Sequence, residues 1–241
     1  MAVSAAVALT ACTSGVLWTS AITDAELTAP PLPVTTDSTS TSNSYQLYPV
    51  GTQLYLRKLD TKGVVLWQQI VDDTLAESIS APKLQVNASG VAVAYQDATS
   101  KQAFLKQFDS SGLALWSTDF GTHTSETLND LVTGSDGSLT VALKLTNTRT
   151  NVLRYDSTGA LQWETAIPAC FLLCTASLGV NANGDTLVNN SEAFATKSYL
   201  LDSTGTQLWN KSKSTGLATT GIVPNAITLT ATGFVSIHPF V

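Results

Sequence analysis

The chain has 241 residues, of which 44% are hydrophobic and only 12% charged, with a net charge of −6 and a pI near 4.7. That length supports one large domain or two small ones around a sizeable core. An acidic surface without a basic cluster excludes recruitment of nucleic acid or anionic lipid by charge.

From Met1 to Thr23 no residue is charged. The stretch AVSAAVALTAC reads as the apolar core of a secretion signal followed by small residues. Its last four residues, Leu9 to Cys12, resemble the lipobox of bacterial lipoproteins. That resemblance implies cleavage after Ala11 and a lipid on Cys12, although no Lys or Arg opens the segment. The alternative is that residues 5–18 are ordinary β-structure. Segment 1–11 is therefore read as a lipoprotein-type signal. Segment 12–53 is read as a closing strand, a degenerate blade in which residues 19–53 take the place of two further strands, and a loop or spacer in the Ser/Thr-rich second half of APPLPVTTDSTSTSNS (29–44).

From residue 54 onward one phrase recurs. LDTKGVVLW (59–67), FDSSGLALW (108–116), YDSTGALQW (155–163) and LDSTGTQLW (201–209) place Asp60, Asp109, Asp156 and Asp202 at spacings of 49, 47 and 46. Gly63, Gly112, Gly159 and Gly205 follow three residues later, and Trp67, Trp116, Trp163 and Trp209 four after that. A second set of turn signals, NASG (87–90), GSDG (134–137), NANG (181–184) and TATG (230–233), runs out of step with the first. A fixed period of about 47 residues, with short Val-, Leu-, Tyr- and Phe-rich segments between two turns, predicts four strands per unit. No stretch beyond the signal keeps a helical period with caps. Thr, Ser and Asn hold polar positions usually given to Lys and Glu, which also favours strands.

The expected fold is all-β: a β-propeller of four-stranded antiparallel blades, about five in number. Its ring would close by Val16–Ile22 joining the C-terminal strands of AITLTATGFVSIHPFV. The alternatives are four blades, with 54–70 completing the last one, or a fragment of a longer propeller.

The phrase has a physical reading. An Asp accepts from the backbone two residues on, and a Gly takes the left-handed position of a three-residue hairpin loop. The Trp supplies bulk for the interface between blades. The runs VVLW and LALW lack polar alternation, as expected for a strand packed on both faces. Calcium is the competing reading, but each turn offers one carboxylate where six to eight oxygens are needed.

Candidate sites fall in the loops that differ between copies, 70–83, 117–130 and 166–177. Asp72, Asp73 and Glu77 cluster in the first, and Asp119, His123, Glu126 and Asp130 in the second. On equivalent loops these carboxylates would form an acidic ring at a channel mouth, the kind of arrangement that propeller glycosidases use. The third loop carries Phe171 in CFLLC, a candidate partner contact if exposed. Cys170 and Cys174 form a disulfide if the chain turns there; in a straight strand they lie ~13 Å apart and remain thiols. His123 and His238 are isolated, no metal-spaced or nucleophile motif occurs, and no cofactor or metal is expected.

LKQFDSSGLALWSTDFGT followed by LVTGSDGSLTVAL resembles the bacterial extracytoplasmic propeller repeats of SBBP type and the neighbouring quinoprotein-like repeats, over roughly residues 54–238. The resemblance implies a propeller outside the cytoplasm. The reading that follows is a non-catalytic envelope lipoprotein, periplasmic or on the outer membrane, binding protein or polysaccharide. In that reading it meets the membrane only through its N-terminal lipid and binds no nucleic acid. The alternatives are an envelope hydrolase or lyase using loop carboxylates, and a secreted adhesion-type repeat protein.

Overall fold

The structure, a computed structural model, describes residues 6–8, 19–21, 34–36, 43–73, 79–97, 99–120, 127–146, 149–168, 175–191, 195–214, 226–230 and 233–237. Every regular element among them is a strand. Strands β1 (Ala6–Ala8) and β2 (Thr19–Ala21) form an antiparallel pair. Blade one is β3 (Val34–Thr36), β4 (Ser44–Val50), β5 (Gln53–Leu59) and β6 (Val65–Asp72). Blade two is β7 (Ile79–Asn87), β8 (Gly90–Asp97), β9 (Ala103–Phe108) and β10 (Ala114–Asp119). Blade three is β11 (Thr127–Thr133), β12 (Leu139–Thr146), β13 (Arg149–Tyr155) and β14 (Leu161–Pro168). Blade four is β15 (Thr175–Val180), β16 (Thr186–Ser191), β17 (Ala195–Leu201) and β18 (Gln207–Ser214). Strands β19 (Ala226–Thr230) and β20 (Gly233–Ile237) form a final hairpin.

Each blade is an antiparallel meander, and the first strands stand side by side, β3 against β7, β7 against β11, β11 against β15 and β15 against β19. This is a β-propeller arrangement, with four complete blades among the described residues. Hairpin β19–β20 follows as a two-stranded sheet with β19 against β15. The closure expected from Val16–Ile22 is not seen: β2 pairs with β1 and not with the C-terminal strands. Residues 54–70 do not complete the last blade. They belong to β5 and β6 of the first, where β5 pairs with β4 and β6 with β5. The boundary expected at residue 54 falls within the β4–β5 hairpin, so blade one begins upstream, in the segment 12–53 read as a degenerate blade and spacer. Val34–Thr36 and the aromatic-rich SYQLYPV are long enough to pair although Pro and Ser/Thr surround them.

The cores lie between blades. Strand β8 is buried along its whole length, and its two faces serve different neighbours. Val91, Val93 and Tyr95 pack with Tyr45, Leu47, Leu54 and Leu56 of blade one. Ala92 and Ala94 on the other face pack with Leu128, Leu139 and Val141 of blade three. The strand period of two thus becomes a large face and a small face, which interlock from blade to blade. Ala142 and Val152 meet Ala176, Leu178 and Val188 in the third layer.

The repeated phrase builds a joint. Gly63 N–H donates to the Asp60 carbonyl at 3.0 Å, and Asp60 N–H donates to the Val64 carbonyl at 2.9 Å. Asp60 Oδ1 accepts from the N–H groups of Lys62 and Val64. The same pattern recurs at Asp109, Asp156 and Asp202. Gly63, Gly112, Gly159 and Gly205 have φ between 79° and 90°, the left-handed region that closes this loop. The Ser111, Thr158 and Thr204 hydroxyls, together with these backbone N–H groups, hold the Asp109, Asp156 and Asp202 carboxyls below the usual carboxylate range.

Each tryptophan then reaches the next blade's turn. Trp67 Nε1 donates to the Ser110 carbonyl at 3.0 Å, Trp116 Nε1 to Ser157 at 3.1 Å and Trp163 Nε1 to Ser203 at 2.9 Å. The indoles lie over Gly112, Gly159 and Gly205 so closely that a Cβ on the glycine would fall 2.9, 2.6 and 2.7 Å from the ring. Trp209 ends the series 36% exposed.

One expectation is corrected. VVLW and LALW are not packed on both faces: Val64, Val65, Leu66, Leu113 and Leu115 are exposed. The register shifts between Lys58↔Trp67 and Leu59↔Val65, which leaves Leu66 as an extra, bulged residue. Leu115, Gln162 and Leu208 occupy the same bulge in the other blades. The missing alternation comes from this bulge, which re-aims the following Trp toward the neighbouring blade.

Candidate functional site

Strand β6 runs from the Asp60 turn to Asp72, at the opposite end of the blade. Near that end the register shifts again: Tyr55 faces Ile70 and Leu54 faces Asp72, leaving Val71 as an extra residue. Strand β14 has no such shift at its corresponding end, where Thr150 faces Ile167 and Arg149 faces Pro168. The bulge places Asp72 in contact with blade two. The Tyr95 hydroxyl donates a short hydrogen bond to Asp72 Oδ2. Lys106 Nζ lies 3.9 Å from the same oxygen and donates to the Val71 carbonyl at 2.5 Å. Lys106 Nζ also sits 5.6 Å from the Tyr95 ring centre, and Phe104 stacks on that ring at 5.2 Å.

These groups line a 640 Å³ recess between blades one and two, bounded by Ile70, Asp72, Asp73, Phe104, Lys106 and Asp119, with Val71, Ser117 and Thr118. Burial pushes the Tyr95 phenol up, and the Asp72 hydrogen bond and charge push it further. Burial lowers Lys106, opposed by the Asp72 and Asp73 charges. Tyr95 thus stays protonated as a donor, and Asp72 is occupied by two partners. Asp73 and Asp119 are the exposed carboxylates at the rim; Gln102 Nε2 donates to Asp119 at 3.4 Å.

Asp72, Asp73 and Asp119, expected on neighbouring loops, are therefore brought together. They meet in a groove between outer strands and not in a ring at a channel mouth. Asp130 lies elsewhere. It belongs to β11, where Oδ2 accepts from Leu178 N–H of β15 and Oδ1 from its own neighbour Leu131. It is a half-buried tie between first strands, because it lies within β11 whereas Asp119 ends β10. Cys12, Cys170, Cys174, Phe171, His123, Glu77, Glu126 and His238 lie outside the described residues.

Burial raises the Asp130 carboxyl, opposed by the Leu178 N–H, the Lys83 charge and the Leu131 N–H. The folded state therefore holds this proton more tightly than the unfolded chain. The associated stability is fully present below the ordinary aspartate range and is lost as pH rises through the raised value. Asp130→Asn is expected to remove this slope while keeping an acceptor for Leu178. Asp130→Ala orphans that N–H at a cost of about 1–3 kcal/mol. Urea unfolding between pH 4 and 8 checks both; a slope unchanged in Asp130→Asn would contradict the assignment.

A second cavity of 400 Å³ lies at the turn end between blades three and four, lined in part by Asp136, Arg154, Asp156, Gln162 and Trp163. Arg154 is buried; it donates to the Gly184 carbonyl at 2.6 Å and to Asp136 Oδ2 at 2.9 Å. It fastens blade three to the β15–β16 turn, as Lys58 does between blade one and the Ser110 carbonyl. Among the described residues no group of three or more His, Cys, Asp or Glu could hold a metal ion. Sequence reasoning missed Tyr95 and Lys106. Their only signal was a lone cation and a tyrosine in otherwise apolar or amide-bearing strands, with nothing to tie them to Asp72.

No protein-family model matches the chain, and no curated protein does. Solved structures do. Puromycin hydrolase, as an S511A mutant complexed with PGG, is 17% identical with a TM-score of 0.46, over 80% of this chain and 31% of that one. Prolyl oligopeptidase B from Galerina marginata, D661A mutant, is 14% identical with a TM-score of 0.44, over 74% and 26%. BBS1N in complex with ARL6DN is 9% identical with a TM-score of 0.34, over 88% and 93%. The chain spans 55% of a matching eukaryotic initiation factor structure and less than a third of the two hydrolase chains. At these identities and TM-scores no site residue and no role is carried over.

Proposed function

We propose that this chain is a non-catalytic binding or scaffolding β-propeller of the bacterial cell envelope, of the SBBP-like repeat kind, held to the membrane by a lipid on Cys12. The observation that carries the non-catalytic reading is how the polar groups are spent. The repeated Asp-x-x-Gly-x-x-x-Trp phrase serves inter-blade joints, and the most enclosed recess carboxylate, Asp72, is held by Tyr95 and Lys106. The envelope placement rests on the lipobox-like Leu9–Cys12. Cleavage after Ala11 would remove β1, so β1–β2 pairing belongs to the uncleaved chain. Intact mass of membrane-extracted protein is expected to give a chain beginning at diacylglyceryl-Cys12. A chain that keeps Met1 unmodified would overturn the anchor.

A hydrolase or lyase is the second reading, favoured by one fact: Asp72 and Asp119 line the same recess as a desolvated lysine. In a screen of envelope polysaccharides and peptides, the enzyme reading expects turnover abolished by Asp72→Asn and Asp119→Asn. The binding reading expects none.

A further inference from the structure

We propose that the outer edge of β6, together with the recess at its end, accepts an extended segment of a partner protein by strand addition, the segment bearing apolar side chains preceded by one or two Lys or Arg. The proposal rests on the binding-module reading and names its site.

The four outer strands share a position in the fold but not their protection. An outermost strand leaves one row of backbone N–H and C=O groups for another chain to pair with, and proteins blunt such edges with charges. Strand β18 carries Lys211 and Lys213, and β14 carries Glu164. From Gly63 to Val71 there is no charged residue. Within this run Val64, Val65, Leu66 and Ile70 are 57%, 45%, 52% and 47% exposed, a denser apolar row than β10, β14 or β18 presents. Among the described strands β6 pairs with β5 alone.

Charge appears only where the edge ends. The Val71 bulge leads into Asp72 and Asp73, and Asp119 lines the same recess from β10. Among the described lining residues Lys106 is the one cation, and it is engaged by Asp72 and the Val71 carbonyl. Asp72, Asp73 and Asp119 outnumber it, so this lining is net negative beyond Ile70. Strand pairs in all four blades are antiparallel, and this pairing is the more stable per residue. An added strand running the same way sets its N-terminal end beside Asp72 and Asp73, so its basic residues precede its apolar ones. A second copy fits less well: antiparallel β6–β6 pairing would bring Lys62 to the acids but Asp60 with it, for no net gain of positive charge. Antiparallel pairing with β18 would set Lys211 and Lys213 toward the apolar end of β6, away from Asp72.

The test uses the full chain and a fluorescein-labelled, N-acetylated peptide, Lys-Arg-Thr-Val-Thr-Val-Thr-amide, followed by anisotropy. Saturable binding that weakens with salt is expected. Ile70→Lys places a charge on the edge, and Asp73→Asn removes one from the rim; each is expected to weaken binding about tenfold or more. Replacing Lys-Arg by Glu-Glu in the peptide is expected to do the same. Both substitutions are at exposed positions, and unchanged circular dichroism confirms the fold. Binding that ignores Ile70→Lys, or absence of saturation, overturns the site. So does a concentration-dependent dimer dissolved by Ile70→Lys, which would assign the edge to a second copy. Each of these leaves the binding-module reading standing, because that reading falls only to recess-dependent turnover.

Discussion

Gly159→Ala is expected to destabilise the protein by about 3–4 kcal/mol, whereas Gly51→Ala costs about 1–2 kcal/mol. Both glycines have positive φ, 87° and 59°, so an L-residue is strained at either position. They differ in what surrounds them. Nothing lies within 4 Å of a Cβ built on Gly51. On Gly159 the new atom would sit 2.6 Å from Trp116 Cδ2 and 2.8 Å from Cγ. That ring cannot retreat freely, because it is bonded to the Ser157 carbonyl and stacks on Tyr155 at 6.4 Å. Urea denaturation of the two variants measures the difference directly. Equal losses would mean that backbone strain alone explains the conserved spacing of Gly within the phrase.

Trp116→Ala is expected to cost about 3 kcal/mol, the low end for a large aromatic because its ring is half-exposed. Trp209→Ala is expected to cost less than about 1 kcal/mol, as for a surface side chain. The two residues occupy the same place in the repeat but not the same surroundings. Trp116 covers Gly159 and loses an indole hydrogen bond when truncated. Trp209 is more than a third exposed, and its described contact is Lys211 over the ring at 5.7 Å. Similar losses from the two would contradict the view that the ring acts through the next blade's turn.

The hairpin corners were legible in the sequence because they are local. Asp156 Oδ1 bonds N–H groups two and four residues away, and Gly159 must follow at a fixed offset for the loop to close. The four-strand period was legible for the same reason, as two turn signals per unit. What could not be read is long-range. Trp116 reaches Ser157 and Tyr95 reaches Asp72 across 41 and 23 residues, and no pattern marks either pairing. Bulges were also hidden. Leu66 and Val71 look like ordinary members of an apolar run, yet each shifts the register. The first turned an expected buried strand into an exposed edge, and the second gathered the Asp72 carboxylate into the recess. Two strands were expected within 19–53, where β3 and β4 lie, but Pro and Ser/Thr around them hid their bounds and the packing of Tyr45 and Leu47 with blade two's core.

If the repeated phrase is a joint, functional variation belongs where the blades stop resembling one another. Blade one's outer strand is such a place: it has an extra bulge, no charged residue from 63 to 71, and a recess that its counterpart β14 does not build with acids.

The joint itself is tested most directly by a double-mutant cycle on Trp116→Ala and Gly159→Ala, followed by urea unfolding. Removing the indole removes the clash, so Gly159→Ala in the Trp116→Ala background should cost only its backbone strain, about 1–2 kcal/mol. The predicted result is a coupling of about 2 kcal/mol between residues 43 positions apart, in blades two and three. Additive losses would contradict it, and would return the four-fold phrase to the search for a ligand site.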